Sequence, residues 1–181
     1  MARGQVLDVY RLIFELIDMR SFSNLWYWIM LAVVWSMTSH WVIGVPFDMV
    51  TRARRHGGKL AEDVERLVEI NVNRLLYISN VAGTWLIGLG AFLLAGLATL
   101  GFWYRVEFCQ AVFLIALPMS FVGMLSVRLA RRIHAEQARG EALYRRIRRH
   151  RLAVQIIGMI AIFVTAFWGM WHNMNAQILG G

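Results

Sequence analysis

Long runs of apolar residues, separated by shorter charged segments, give the sequence its main pattern. Four runs contain no charged side chain, and they extend over about residues 25–45, 81–102, 108–127 and 152–171. A helix needs roughly 20 residues to cross a hydrocarbon core, so each run is long enough to span a membrane. The pattern predicts an all-α polytopic membrane protein, in which residues 23–181 form a bundle of four transmembrane helices.

Tryptophan and tyrosine residues lie near the ends of these runs, where aromatic rings favour the headgroup level of a membrane. These residues are Trp26, Tyr27, Trp28, Trp41, Trp103, Tyr104, Trp168 and Trp171. Trp35 and Trp85 lie deeper within their runs. We expect these two to be packing residues instead of interfacial anchors.

Residues 1–22 show a different pattern, in which apolar residues recur at spacings of three and four. These residues are Val6, Val9, Tyr10, Ile13, Phe14 and Ile17. The spacing predicts an amphipathic helix, which lies either in the membrane interface or across the end of the bundle. Acidic residues precede the first run and no small-x-small cleavage site follows it, so we expect a permanent span and not a cleaved signal sequence.

The charged segments at residues 46–76 and 128–151 are predicted to be helical extensions of the bundle on one side of the membrane. Together they carry 15 of the 19 basic residues. Basic residues concentrate on the cytoplasmic side of membrane proteins. We therefore expect a bacterial inner-membrane protein with both segments in the cytoplasm and both termini in the periplasm.

The composition agrees with lipid as part of the solvent. The chain has 181 residues, of which 59% are hydrophobic and 17% charged, and its mean hydropathy is +0.52. Soluble domains have about a quarter charged and just under half apolar residues, so these values exclude most soluble folds. The single cysteine, Cys109, excludes an internal disulfide framework and a cysteine-rich metal site within one chain.

An arginine-rich run directly before the last span is the first candidate binding site. It consists of Arg145, Arg146, Arg148, Arg149 and Arg151. A juxtamembrane basic cluster gains about 1 kcal/mol per residue from an anionic leaflet, which favours binding to anionic lipid over binding to a protein partner. We expect no binding to nucleic acid, because aromatic residues are not interleaved with the arginines.

Small residues form a stripe along one face of two predicted spans. The helix-packing candidates are Gly88, Ala91 and Ala95 in the second span, and Gly158, Ala161 and Gly169 in the fourth. Such stripes allow helices to approach closely, so both faces are expected to contact another helix. Whether that helix belongs to this chain or to another subunit stays open at this point.

The five histidines raise the question of a haem or metal site. His40 and His172 are predicted at opposite ends of the bundle, and the other three lie in the charged segments, so no pair is expected to face across a haem. His40 is the one residue that we consider for a cofactor. We otherwise expect no metal and no cofactor, and because the sequence contains no serine elbow, phosphate loop or zinc-ligand motif, we do not expect an enzyme.

Several strings resemble a small family of four-span bacterial inner-membrane proteins that is often labelled as a component of the SufBCD complex. They are SFSNLWYWIM (residues 21–30), SHWVIGVPFDMV (39–50), RARRHGG (52–58) and FLIALPMSFVG (113–123). The resemblance covers most of the chain but includes no catalytic motif. It implies a protein that docks a soluble iron–sulphur assembly complex through its cytoplasmic segments, since Cys109 alone does not hold a cluster.

These observations together favour a non-catalytic accessory, scaffold or assembly subunit of a larger membrane complex, with anionic lipids and membrane proteins as its partners. One alternative is a small transporter or channel that works as an oligomer. The other is a membrane redox protein that binds haem or quinone through His40.

Overall fold

The structure is a computed structural model that describes Phe22 and residues 24–178. This part of the chain is all-α, as predicted, with five α-helices, one short hairpin and one π-helical turn. The elements are α1 (Leu25–His40), β1 (Trp41–Val42), β2 (Val45–Pro46), α2 (Phe47–His56), α3 (Gly58–Ala98), the π-helical turn (Thr99–Trp103), α4 (Glu107–Glu136) and α5 (Gly140–Ile178). Apart from Phe22, the predicted amphipathic helix over residues 1–22 lies outside the described residues.

Within the described residues, three helices are long and apolar enough to cross a membrane. They are Gly58–Trp103, Glu107–Glu136 and Gly140–His172. These helices contain the second, third and fourth predicted spans, and all three continue beyond the apolar run into the charged segments. The α3 helix alone has 41 residues, which is about 60 Å of helix at 1.5 Å per residue.

The first predicted span is helical for only part of its length. The α1 helix has 16 residues and ends at His40, so the prediction of one helix through residue 45 is wrong beyond that point. Ile43 and Gly44 both have positive φ angles, of 51° and 71°, which is the geometry of a two-residue hairpin turn. The turn pairs Val42 with Val45, and both valines are buried.

Two separate hydrophobic clusters hold the helices together. The first lies at the end of the molecule that carries the arginine-rich run, which we call the basic end. It joins the hairpin, α2, the first half of α3 and the adjoining ends of α4 and α5. The second lies in the apolar half and joins α1, α4 and α5 through Leu31, Trp35, Val122, Val154 and Ala161. The apolar half of α3 contributes no residue to it.

Candidate functional site

The five arginines before the last span do not form one surface. Arg145, Arg148 and Arg149 are exposed. Arg146 forms an ion pair with Glu136 of α4.

Arg151 is also held within the chain. Its Nε donates a hydrogen bond to the carbonyl of Ser39 at 3.2 Å, and its guanidinium carbon lies 4.0 Å from the centroid of the Phe47 ring. The arginine-rich run therefore contains three arginines that face outwards and two that contact other helices.

The small-residue stripe of α5 is covered by α1. Gly158, Ala161 and Gly169 are all buried. A Cβ atom placed on Gly158 would lie 2.7 Å from Cε3 of Trp35, so the indole ring rests directly on the glycine backbone. Glycine is required at this position because no side chain has room there.

Aromatic rings also cover the α5 stripe at Gly169, towards the C-terminal end of the helix. A Cβ atom on Gly169 would lie 3.3 Å from Cδ1 of Phe22 and 3.4 Å from Cζ2 of Trp28. The helix that contacts the α5 stripe therefore belongs to this chain, and it supplies aromatic rings opposite the small residues.

The small-residue stripe of α3 is exposed along its whole length. Gly88, Ala91 and Ala95 are exposed, and a Cβ atom on Gly88 would have no other group within 4 Å among the described residues. Thr84 and Thr99 extend the stripe in both directions and are also exposed. No described part of the chain covers this face.

A buried glutamine joins three elements at the end of the bundle opposite the basic end. Gln110 of α4 is 4% exposed. Its Nε2 donates to the carbonyl of Gly101 at 2.8 Å, and its Oε1 accepts from Nε1 of Trp168 at 3.0 Å. Both ends of the amide are thus satisfied, and the hydrogen bonds tie the π-helical turn to α4 and α5.

A carboxylate at the same end makes two further contacts. Glu107 accepts a hydrogen bond from the backbone N–H of Phe22 at 2.7 Å, and its other oxygen lies 3.3 Å from Nε2 of His172. Sequence reasoning did not identify Gln110 or the Glu107–His172 contact. In the sequence, Gln110 is a polar residue within an apolar run, and Glu107 and His172 each lie directly beside one. These positions do not indicate the partner of any of the three.

The histidines occupy different environments within the described residues. His40 lies at the end of α1, where its Nε2 is 3.9 Å from Oδ1 of Asp48. His150 is only 9% exposed, and its Nε2 lies 3.3 Å from Oγ of Ser126. Burial lowers the pKa of His150, because the charged form loses its hydration.

The two histidines line different cavities, and within the described residues no three His, Cys, Asp or Glu side chains meet in a group suited to a metal ion. No family model, no curated protein and no solved structure matches this chain.

Proposed function

We propose that this protein is a non-catalytic accessory or scaffold subunit of a larger bacterial inner-membrane complex, and that α3 is the helix that contacts its partner. The observation that supports this proposal is the exposed stripe of Gly88, Ala91 and Ala95. The partner is a transmembrane helix of another protein, and it lies along this stripe.

The physical reason is that small residues allow helix backbones to approach within packing distance in lipid, where hydrophobicity alone gives no drive for association. The chain already uses this contact once, since aromatic rings of α1 cover the stripe of α5. A partner helix with large side chains would make the equivalent contact on α3.

Four membrane crossings with a periplasmic start of α1 form part of this proposal. The α1 helix runs antiparallel to α5, because Trp28 lies near Gly169, Trp35 lies on Gly158 and Ser39 contacts Arg151. Eighteen residues of α5 separate the outer two contacts, which is about 27 Å of helix. The 16 residues of α1 are about 24 Å of helix, so the proposed crossing is supported by the pairing of α1 along the apolar run of α5 and not by the length of α1 itself.

In this topology the basic end lies in the cytoplasm and both termini lie in the periplasm, which agrees with the concentration of arginine in segments 46–76 and 128–151. The exposed residues Arg145, Arg148 and Arg149 then face the anionic leaflet or a soluble partner. A cytoplasmic assembly complex, such as the one that the sequence resemblance implies, would dock at this end.

The test is affinity purification of the full chain in mild detergent at native expression, comparing Ala91→Phe with Leu89→Phe. Leu89 is also exposed and lies about 160° around the helix from Ala91, so this control introduces the same phenyl ring away from the stripe. We expect Ala91→Phe to lower recovery of the partner about tenfold or more, and Leu89→Phe to leave it unchanged.

Recovery of the wild-type chain alone as a monomer would overturn the proposal. Recovery of a homo-oligomer without another protein would also overturn it, and would favour the oligomeric transporter or channel. A cysteine at position 2 that is labelled only from the cytoplasm would refute the proposed orientation.

A further inference from the structure

An open cavity of about 460 Å³ lies at the basic end, between the end of α1, one face of α2 and Arg151 of α5. Its charged and titratable wall groups are His40, Asp48, Arg52, Arg55, His56 and Arg151. Three guanidinium groups against one carboxylate leave a formal charge of +2 with both histidines neutral. Its position is at the membrane boundary, since His40 ends α1 and Arg151 immediately precedes the last apolar run.

The periodicity of the α2 helix directs Arg52 and Arg55 into this cavity. Asp48, Arg52 and Arg55 stand at positions i, i+4 and i+7, which lie on one face of a helix. The buried residues Val50 and Ala53 fix the rotation of the helix, because they pack into the cluster at the basic end.

The guanidinium groups of the cavity differ in what they already bind. Arg52 is paired with Asp48, so that pair contributes no net charge. Arg55 has no ion-pair partner among the described residues. Arg151 uses Nε for the Ser39 carbonyl, which leaves its two terminal nitrogens without a hydrogen-bond partner in the described part of the chain.

Stacking on Phe47 holds the plane of the Arg151 guanidinium in place. A fixed guanidinium loses little side-chain entropy when it binds an oxyanion, and it presents donors in the spacing that phosphate oxygens match. Two unpaired guanidinium groups therefore complement the charge of one phosphate group.

We propose that this cavity is a phosphate-binding site, with Arg55 and Arg151 as the ligands of a phosphate group. At the membrane boundary the headgroup of an anionic phospholipid supplies that group, and free inorganic phosphate is the other source of the same chemistry. Basic pockets between helices on the cytoplasmic side bind anionic headgroups in this manner. The proposal rests on the membrane topology given above, but not on the contact of α3 with a partner.

The test is native mass spectrometry of the full chain in neutral detergent, with dioleoyl phosphatidic acid, dioleoylglycerol and inorganic phosphate as separate probes. We compare the double variant Arg55→Gln, Arg151→Gln with the double variant Arg148→Gln, Arg149→Gln. Both remove two positive charges, but Arg148 and Arg149 are exposed outside the cavity. The second variant therefore controls for general attraction to an anionic surface.

We expect one tightly bound phosphatidic acid per wild-type chain and no bound dioleoylglycerol. The cavity variant should weaken phosphatidic acid binding about tenfold or more, because it loses charge-assisted hydrogen bonds. The control variant should weaken it much less. If inorganic phosphate displaces the lipid at equal concentration, free phosphate is the source of the bound phosphate group, and the proposed site stands.

Equal losses in the two variants would overturn the proposal, since they would indicate diffuse attraction instead of a site. Because Arg151 also packs on Phe47, Arg151→Lys provides a second variant that keeps the charge and loses the planar donor pair. Unchanged binding in Arg55→Gln and in Arg151→Lys would likewise overturn it. Loss of the α3 partner in Ala91→Phe leaves this measurement unaffected, so the two proposals fail separately.

Discussion

Two stripes of small residues with the same spacing have opposite environments in this protein. The stripe of α5 is buried beneath α1, whereas the stripe of α3 is exposed from Thr84 to Thr99. The difference lies in what packs opposite each stripe, because α1 supplies Trp28 and Trp35 to the stripe of α5, whereas no described segment contacts Gly88 in the stripe of α3. The stripe of α5 is covered by a helix of this chain, and the stripe of α3 is the face on which we propose that a helix of another protein packs.

The largest expected effect comes from removing a contact that covers the stripe of α5. Trp35 is 4% exposed and Trp85 is 83% exposed, although both lie deep in apolar runs. Trp35→Ala removes the ring that fills the space over Gly158, so we expect the free energy of unfolding to fall by about 3–5 kcal/mol. Trp85→Ala should leave it within about 0.5 kcal/mol.

The measurement is chemical unfolding of each purified variant in mixed micelles. Equal destabilisation by the two substitutions would mean that α3 is packed as tightly as α5 in the isolated chain. That result would contradict the difference between the two stripes.

A smaller effect is expected from adding one methyl group to each stripe. Gly158→Ala places a Cβ atom 2.7 Å from Cε3 of Trp35, and such overpacking costs about 1–3 kcal/mol. The new Cβ atom of Gly88→Ala has no other group of the described residues within 4 Å, so the free energy of unfolding should not fall. Thermal unfolding in the same detergent compares the two, and a lower stability of Gly88→Ala would show that the α3 stripe is already occupied.

The sequence predicted the helices well where one long apolar run dominates. The second, third and fourth spans lie within helices that are long and apolar enough to cross a membrane. The helix predicted for the first run is wrong beyond residue 40, because hydropathy does not distinguish a helix from a buried hairpin. Val42 and Val45 are as apolar as a span requires, and the positive φ angles at Ile43 and Gly44 are the decisive feature.

The candidate sites were predicted as residue types and not as arrangements. The arginines before the last span form one run in the sequence, but they lie on different faces of α5. The buried residues Leu143, Ile147 and His150 mark the inner face of this helix. Tertiary partners such as Ser39 for Arg151 are more than 100 residues away in sequence. Local pattern carries no information about such distant contacts.

The smallest expected effect concerns pH and again distinguishes α5 from α3. The inner face of α5 includes the titratable residue His150, whereas the apolar half of α3 has no titratable side chain. Burial lowers the pKa of His150 in the folded state, so the unfolded chain binds the proton more readily. The other ionisable group that lines its cavity is Arg74.

The free energy of unfolding is therefore highest above the unfolded pKa of about 6.5, where His150 is neutral in both states. As the pH falls from that value towards the lowered folded pKa, the unfolded chain takes up a proton that the folded chain does not, so the free energy of unfolding falls. We expect the thermal unfolding temperature of the wild-type chain to drop between about pH 7.5 and about pH 5.5. His150→Gln keeps a polar group beside Ser126 without titrating, so its curve should be flatter over this range. His134→Gln changes an exposed histidine and should reproduce the wild-type curve, whereas an equal flattening in both variants would mean that the burial of His150 does not set the dependence.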